Sequence, residues 1–138
     1  MTVRRFSSSA IICLAGLCVL AAAAPALAHH SFAAEFDAKR PVKLRGVITR
    51  VEWINPHTWI HIDVKGTDGQ VVKWMIEGGS PNSLFRRGVT KASLPTGTEI
   101  IVEGYQARSG TKRANGRDLT LPGGKSFSLE APADAPRQ

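Results

Sequence analysis

Apolar and polar residues alternate with a period of two over much of the chain after residue 41. The clearest example is residues 57–64, where apolar side chains share one parity and side chains with functional groups share the other. The first set is Ile60, Ile62 and Val64, and the second set is His57, Trp59, His61 and Asp63. Because successive side chains of a strand point to opposite faces, the pattern predicts a strand over residues 58–64 with one apolar and one functional face.

A long, bent first strand is predicted from residue 42 to residue 53. The apolar residues before and after Gly46 differ in parity, with Val42 and Leu44 in one set and Val47, Val51 and Trp53 in the other. A change of phase at a glycine is typical of a β-bulge or a sharp bend. We therefore expect one strand, bent at Gly46, to take part in both halves of a barrel.

The rest of the pattern predicts one short helix among further strands. Strands are expected at residues 71–77 and 99–107, and a hairpin is expected at 118–121 and 125–129, after a basic loop of residues 108–117. Ser80 suits a helix N-cap, Pro81 the first helical position and Gly88 a left-handed C-terminal position, which predicts a helix over residues 81–87. The order predicts a mainly β fold, a small five- to six-stranded OB-like Greek-key barrel with one short helix between strands 3 and 4.

Residues 1–28 have the composition of a cleavable signal peptide. Arg4-Arg5 precede an apolar run, and Ala26-Leu27-Ala28 has the small-x-small form of a cleavage site. The apolar run is shorter than the ~20 residues that span a bilayer, so we expect no membrane span after cleavage and a periplasmic location. The predicted division is a signal peptide (1–28), an N-terminal arm (29–41), an OB-like barrel (42–129) and a disordered tail (130–138).

Composition narrows the classes of partner and site. Cys13 and Cys18 both lie in the signal peptide, so the mature chain has no thiol for a disulfide, a metal or a nucleophile. Cleavage removes two of the 18 basic residues and none of the 11 acidic ones, which leaves a net charge of +5. This charge favours anionic partners such as acidic glycans or lipid headgroups, although it also serves solubility alone. Nucleic acid is ranked low, because an exported protein rarely meets it.

Several motifs occur in a recognisable order. They are His29-His30-Ser31-Phe32, Trp53-x-Asn55-Pro56-His57, Glu77-Gly78-Gly79-Ser80-Pro81-Asn82, Arg86-Arg87-Gly88 and Leu119-Thr120-Leu121-Pro122-x-Gly124. Together they resemble a family of small exported bacterial proteins known as domain of unknown function 6152. The resemblance implies a periplasmic β-barrel domain, without an assigned activity, cofactor or catalytic residue. The chain departs from the family at Gly104-Tyr105-Gln106, where relatives often carry His-Pro.

Copper is one candidate ligand. Cleavage after Ala28 would give His29 an α-amine and an imidazole, and His57 would add a third nitrogen to a set suited to Cu(II). His30 and His61 are reserve ligands. Along a regular strand, His57 and His61 would lie ~13 Å apart, too far to share one ion. The alternative is that His29 and His30 merely follow a processing site and that His57 caps a turn.

A binding module without metal is the other candidate. Barrels of the OB type bind ligands across strands 2 and 3 and the adjoining loops. The predicted ligand-binding residues are Trp59, His61, Asp63, Arg108, Lys112, Arg113 and Arg117. His61 and Asp63 are expected to form a histidine–carboxylate pair, and packing of the N-terminal arm on Trp59 is the structural alternative. Because strand parity separates Glu52, Asp63 and Glu77, we expect no catalytic pair. The expected function is a non-enzymatic binding or accessory module whose partner is an unknown periplasmic ligand or protein.

Overall fold

The computed structural model describes residues 32–130 of the chain. Its elements are β1 (Phe36–Trp53), β2 (Thr58–Lys65), β3 (Val71–Gly78), the helix α1 (Pro81–Arg86), a 3₁₀ turn (Lys91–Ser93), β4 (Glu99–Ala107), β5 (Arg113–Thr120) and β6 (Ser126–Ser128). Residues 32–35 form a helical turn before β1. Within these described residues, no helix has the length and apolar composition needed to cross a bilayer.

The strands close into a ring. β1 pairs with β2 and β4, β2 pairs with β3, and β4 pairs with β5, all antiparallel. A short parallel contact between β3 and β5 then closes the ring in the order β1-β2-β3-β5-β4. Five strands bonded in a ring, with α1 between β3 and β4, confirm the predicted mainly β fold and have the strand order of an OB-like barrel. β6 extends the sheet as the hairpin partner of β5, as predicted.

The first strand is long and bent, but the bend is not where we predicted it. Its first part, from Phe36 to Val47, pairs with β4, and its last part pairs with β2. The pairing with β2 shifts between Ile48 and Arg50, so the change of parity follows Ile48. Ile48 is buried and Val47 is 38% exposed, so the placement of Val47 in the apolar set was wrong. The strand also begins six residues earlier than predicted, because buried Phe36 pairs with Ala107.

Gly46 has a different role from the predicted one. Its backbone passes so close to β2 that a Cβ atom would lie 2.9 Å from the carbonyl oxygen of Asp63 and 3.0 Å from Val64 Cγ2. Glycine is therefore needed at this position for close approach of two strands, and not for the bulge itself.

The core fills the ring and is covered at one end by α1. The predicted apolar face of β2 is confirmed, since Ile60 and Ile62 are almost fully buried. From β3 the core receives Trp74 and Ile76, and from α1 it receives Leu84. Burial of each large aliphatic side chain stabilises the fold by about 1.5–3 kcal/mol, so the inward set fixes which face of each strand points outward.

The start of α1 follows the predicted capping chemistry. Ser80 Oγ accepts a hydrogen bond from the backbone N–H of Ser83 at 3.3 Å, and Pro81 occupies the first turn. The helix ends at Arg86, one residue before the predicted end, and Gly88 has the expected positive φ of 82°.

The basic loop is shorter than predicted because β5 begins at Arg113. Ala114 is fully buried, and a Cβ atom on Gly116 would lie 2.8 Å from both Ile76 Cγ2 and Leu129 Cδ1. Small residues of low strand propensity are used here because β5 crosses tightly packed neighbours. The loop between β4 and β5 is thus residues 108–112, and Arg113 and Arg117 belong to a strand.

Candidate ligand-binding site

The side chains with functional groups lie on the outer surface of β2 and β3, which we call the β2–β3 face. Trp59, His61 and Asp63 project from β2 away from the buried Ile60 and Ile62, as the parity predicted. Cross-strand register places Glu52 and Glu77 on either side of Trp59. The expectation that parity separates the three carboxylates was wrong, since Glu52, Asp63 and Glu77 share this face. The β1 register shift brings Glu52 there.

A groove of about 460 Å³ lies on this face, between β1, β2, β3 and the start of β5. Its lining residues are Thr49, Arg50, His61, Ile62, Asp63, Lys73, Trp74, Met75, Lys112 and Arg113. Four of these described residues are cationic, and Asp63 is the one carboxylate among them. The groove therefore carries an excess of positive charge in a concave site, which favours anions.

Arg113 lies across β3 and covers Trp59. Its guanidinium carbon is 5.0 Å from the centroid of the Trp59 ring, a cation–π arrangement. Its NH2 group donates to Glu35 Oε2 at 3.3 Å. The N-terminal segment thus reaches the site through Glu35, and the surface next to the Trp59 ring is formed by Arg113.

His61 belongs to a three-residue cluster with two side chains of β1. Its Nε2 atom is 2.8 Å from Glu52 Oε1 and 3.2 Å from Arg50 Nη2, and Arg50 and Glu52 form an ion pair of 2.5 Å. The predicted pairing of His61 with Asp63 was wrong. Asp63 is two residues along the same strand, whereas Glu52 lies on the adjacent strand within reach of the ring.

His57 has its own carboxylate on β3. Its Nδ1 atom is 3.0 Å from Glu77 Oε1, and the Glu77 side chain is only 9% exposed. His57 lies in the loop between β1 and β2, and the backbone N–H of the next residue, Thr58, donates to Gly79 O at 3.0 Å. Two histidine–carboxylate pairs therefore flank Trp59.

The remaining predicted cations occupy three different places. Lys112 Nζ lies 5.4 Å from the centroid of the Trp74 ring, at the groove. Arg108 Nε donates to Ala33 O at 2.7 Å and so holds the N-terminal segment. Arg117 lies elsewhere, beside a second depression of about 350 Å³ that Tyr105 also lines. Its hydrogen bond with Asp118, followed by one with Tyr105, raises the pKa of Arg117.

A model of the family of unknown function DUF6152 matches residues 15–116. The chain belongs to this family. The match spans β1 to β4 and ends within β5, so it includes every residue that lines the groove. No protein of curated function matches the chain.

The copper ligands predicted for this DUF6152 protein lie partly outside the described residues. His29 and His30 precede residue 32, where the described part of the chain begins. Within residues 32–130, no group of three or more His, Cys, Asp or Glu side chains is close enough to hold a metal ion. His57 and His61 each contact a separate carboxylate.

Several contributors to the site were missed in the sequence, and three of them are charged residues at or next to the groove. Arg50 and Lys73 line the groove, and Glu35 contacts Arg113. Arg50 and Lys73 share the outward parity of their strands, so parity alone could have found them. The contact of Glu35 depends on the ring closure that brings β5 beside β3, and local sequence carries no signal for it.

Proposed function

We propose that the protein is an exported, non-enzymatic binding module that takes a small anionic ligand in the groove of the β2–β3 face. The observation that carries this proposal is the convergence of Arg50, Lys73, Lys112 and Arg113 on one concave site. The face used is the one on which OB-type barrels bind their ligands, strands 2 and 3 with their flanking loops.

The dimensions of the groove favour a small ligand over an extended surface. A volume of about 460 Å³ lies within the range of about 300–1,000 Å³ that is typical of small-molecule pockets. Aromatic and apolar lining from Trp74 and Met75 accompanies the cations, which suits an oxyanion attached to a ring or sugar. A sulfated or carboxylated sugar has this chemistry.

A binding role is also supported by the state of the carboxylates. Glu52 is engaged by Arg50 and His61, and Glu77 is engaged by His57. Carboxylates in such pairs orient the cations and imidazoles that they contact.

The test is calorimetric titration of the chain from His29 onward with a trisulfated heparin disaccharide. Lys112→Gln should weaken binding several-fold, whereas Lys125→Gln should leave it unchanged. Lys125 is a matched control, because its Nζ lies 4.8 Å from the Phe127 ring centroid in a similar cation–π contact away from the groove. Added salt should weaken binding. Equal effects of both substitutions would contradict a groove site, and binding only to vesicles of phosphatidylglycerol would replace the small ligand by a lipid surface.

Export is supported by the basic, apolar and small-residue order of residues 1–28. Mass spectrometry of the protein recovered from the periplasm of an expressing bacterium should give a chain that begins at His29. A product that retains residues 1–28 in the cytoplasm would contradict this part of the proposal.

Copper binding is a second candidate, and the orientation of His57 favours it. Histidines that ligate metals usually present their other ring nitrogen to a carboxylate, and Glu77 occupies that position at Nδ1 of His57. Nε2 of His57 would then be the ligand, together with the α-amine and imidazole of His29. Three nitrogen donors of this kind suit Cu(II).

Titration with Cu(II), followed by electron paramagnetic resonance, tests this candidate on the chain from His29 onward. The comparison chains carry one extra N-terminal glycine or His57→Ala. Tight, nitrogen-rich binding that is lost in both comparison chains would support the site. Equal, weak binding by all three would exclude it.

A further inference from the structure

The guanidinium of Arg113 is positioned before any ligand arrives. It lies 5.0 Å from the centroid of the Trp59 ring, and its residue lines the groove. Stacking on an indole restricts the rotamers of a long side chain, so less conformational entropy is lost when the guanidinium binds a partner.

Only one of the two N–H donor groups on one edge of this guanidinium has a hydrogen-bond partner. Its NH2 group donates to Glu35 Oε2 at 3.3 Å, while the adjacent Nε–H is buried without a hydrogen-bond partner. Nε and NH2 lie on the same edge, the one that arginine offers to carboxylates and phosphates as two parallel donors. A buried donor without an acceptor is costly, so a shift of the guanidinium that lets an anion replace Glu35 and accept from both groups is favoured.

We infer that Arg113 anchors the ligand through a two-point contact with an oxyanion, and that Glu35 is an internal competitor which the ligand displaces. This inference rests on the proposed function, and it adds the anchoring residue, the ligand group and the means of regulation. The ligand group is a carboxylate, sulfate or phosphate that presents two oxygens to Nε and NH2.

The N-terminal segment is arranged so that Glu35 can leave without the segment leaving. Arg108 holds the segment by its backbone, since its Nε donates to Ala33 O at 2.7 Å and its N–H donates to Glu35 O at 2.9 Å. The side chain of Glu35 is 56% exposed, and such ion pairs are weak. A ligand with two well-placed oxygens therefore replaces a single long contact at little cost.

The experiment measures binding of the trisulfated disaccharide by calorimetry in four single variants of the chain from His29 onward. Glu35→Gln should tighten binding about twofold to fivefold, the range expected for release of a surface ion pair. Arg113→Lys keeps the positive charge but loses the two parallel N–H donors of the guanidinium, and it should weaken binding about tenfold. Glu99→Gln and Arg45→Lys are the controls, because Arg45 and Glu99 form a comparable exposed ion pair of 3.2 Å away from the groove.

A second readout follows Arg113 itself. In protein with ¹⁵N-labelled arginine, the Nε–H resonance that is present in the wild type and absent in Arg113→Lys is assigned to Arg113. In the wild type, this resonance should move downfield when the disaccharide is added. A merely structural Arg113 would not show a shift that saturates with the ligand.

The outcomes separate the inference from the proposed function. Lys112→Gln could weaken binding while neither Glu35→Gln nor Arg113→Lys changes it relative to the controls. That result would support the groove as the binding site and refute the role of Arg113 and Glu35. If neither the wild type nor Glu35→Gln binds the disaccharide with saturation, the proposed function and the inference are both refuted. Tighter binding by Glu35→Gln, weaker binding by Arg113→Lys and a saturable Nε–H shift establish the anchor and its competitor.

Discussion

Gly104→Ala is the substitution that tests the closure of the barrel most directly. Gly104 lies on β4 beside Gly116 of β5, where the register between the two strands shifts. A Cβ atom at this position would overlap the carbonyl oxygen of Asn115 and approach Gly116 Cα to 3.1 Å. These are backbone atoms, so no rotamer change can relieve the clash.

The loss of stability expected for Gly104→Ala depends on which part of the backbone must move to relieve the clash. Relief requires β5 to separate from β4 near Asn115, which breaks ladder hydrogen bonds at the strand that also closes the ring on β3. Overpacking typically costs about 1–3 kcal/mol, and a clash with backbone belongs at or above the upper end. We therefore expect Gly104→Ala to lower the free energy of unfolding by about 3 kcal/mol or more, a large part of a typical domain's about 5–15 kcal/mol.

Urea denaturation followed by tryptophan fluorescence measures this free energy. Gly116→Ala should cost about 1–3 kcal/mol, because it meets buried side-chain atoms of Ile76 and Leu129 at 2.8 Å. Gly66→Ala is the control: its Cβ would lie 2.6 Å from the carboxylate of Asp68, which can rotate away, so we expect a cost of less than about 1 kcal/mol. A Gly104→Ala protein as stable as Gly66→Ala would refute the close crossing of β4 and β5.

Three further predictions concern capping, packing and charge. Ser80→Ala should lower the free energy of unfolding by about 1 kcal/mol in the same assay, because the backbone N–H of Ser83 loses its acceptor. Ile62→Val should cost about 0.5–1.5 kcal/mol, since Ile62 is 1% exposed and a methylene is removed from the core. The hydrogen bond from Lys43, and then the charge of Lys43, lower the pKa of Glu103. The stability that this pair contributes is therefore present above the ordinary glutamate pKa, and it is lost as the pH falls through the lowered pKa. NMR titration of the Glu103 carboxyl should show that lowered pKa in the wild type and its rise towards the ordinary value in Lys43→Met, and an unchanged value would contradict the pairing.

Periodicity was sufficient to predict the fold because most strands bury one face. The alternation around Ile60 and Ile62 predicted β2, and Ser80 and Gly88 predicted α1 nearly to the residue. The strand prediction failed at positions where tight packing requires small residues. Ala114 and Gly116 carry no strand signal, and yet β5 includes both because larger side chains would not fit between β3 and β4.

The candidate site was predictable in part. Parity alone placed Trp59, His61 and Asp63 on one outward surface. It could not give their partners, since the carboxylate next to His61 comes from β1 after a register shift at Ile48–Arg50, which we had predicted at Gly46. Cross-strand partners are a property of register, and register depends on where the bulge lies.

The arrangement around Trp59 explains why a small barrel keeps so many charged groups on one surface. Each cation nearest the centre has a partner that restrains it: Arg50 has Glu52, and Arg113 has both Trp59 and Glu35. Restraint lowers the entropic cost of binding an anion, but a partner that bound too tightly would prevent it. The pair of Arg50 with Glu52 is short and also involves His61, whereas the contact of Arg113 with Glu35 is longer and its carboxylate is the more exposed of the two. Arg113 is therefore the cation that an incoming oxyanion can most readily capture, and Arg50 is the one that keeps its partner when the ligand binds.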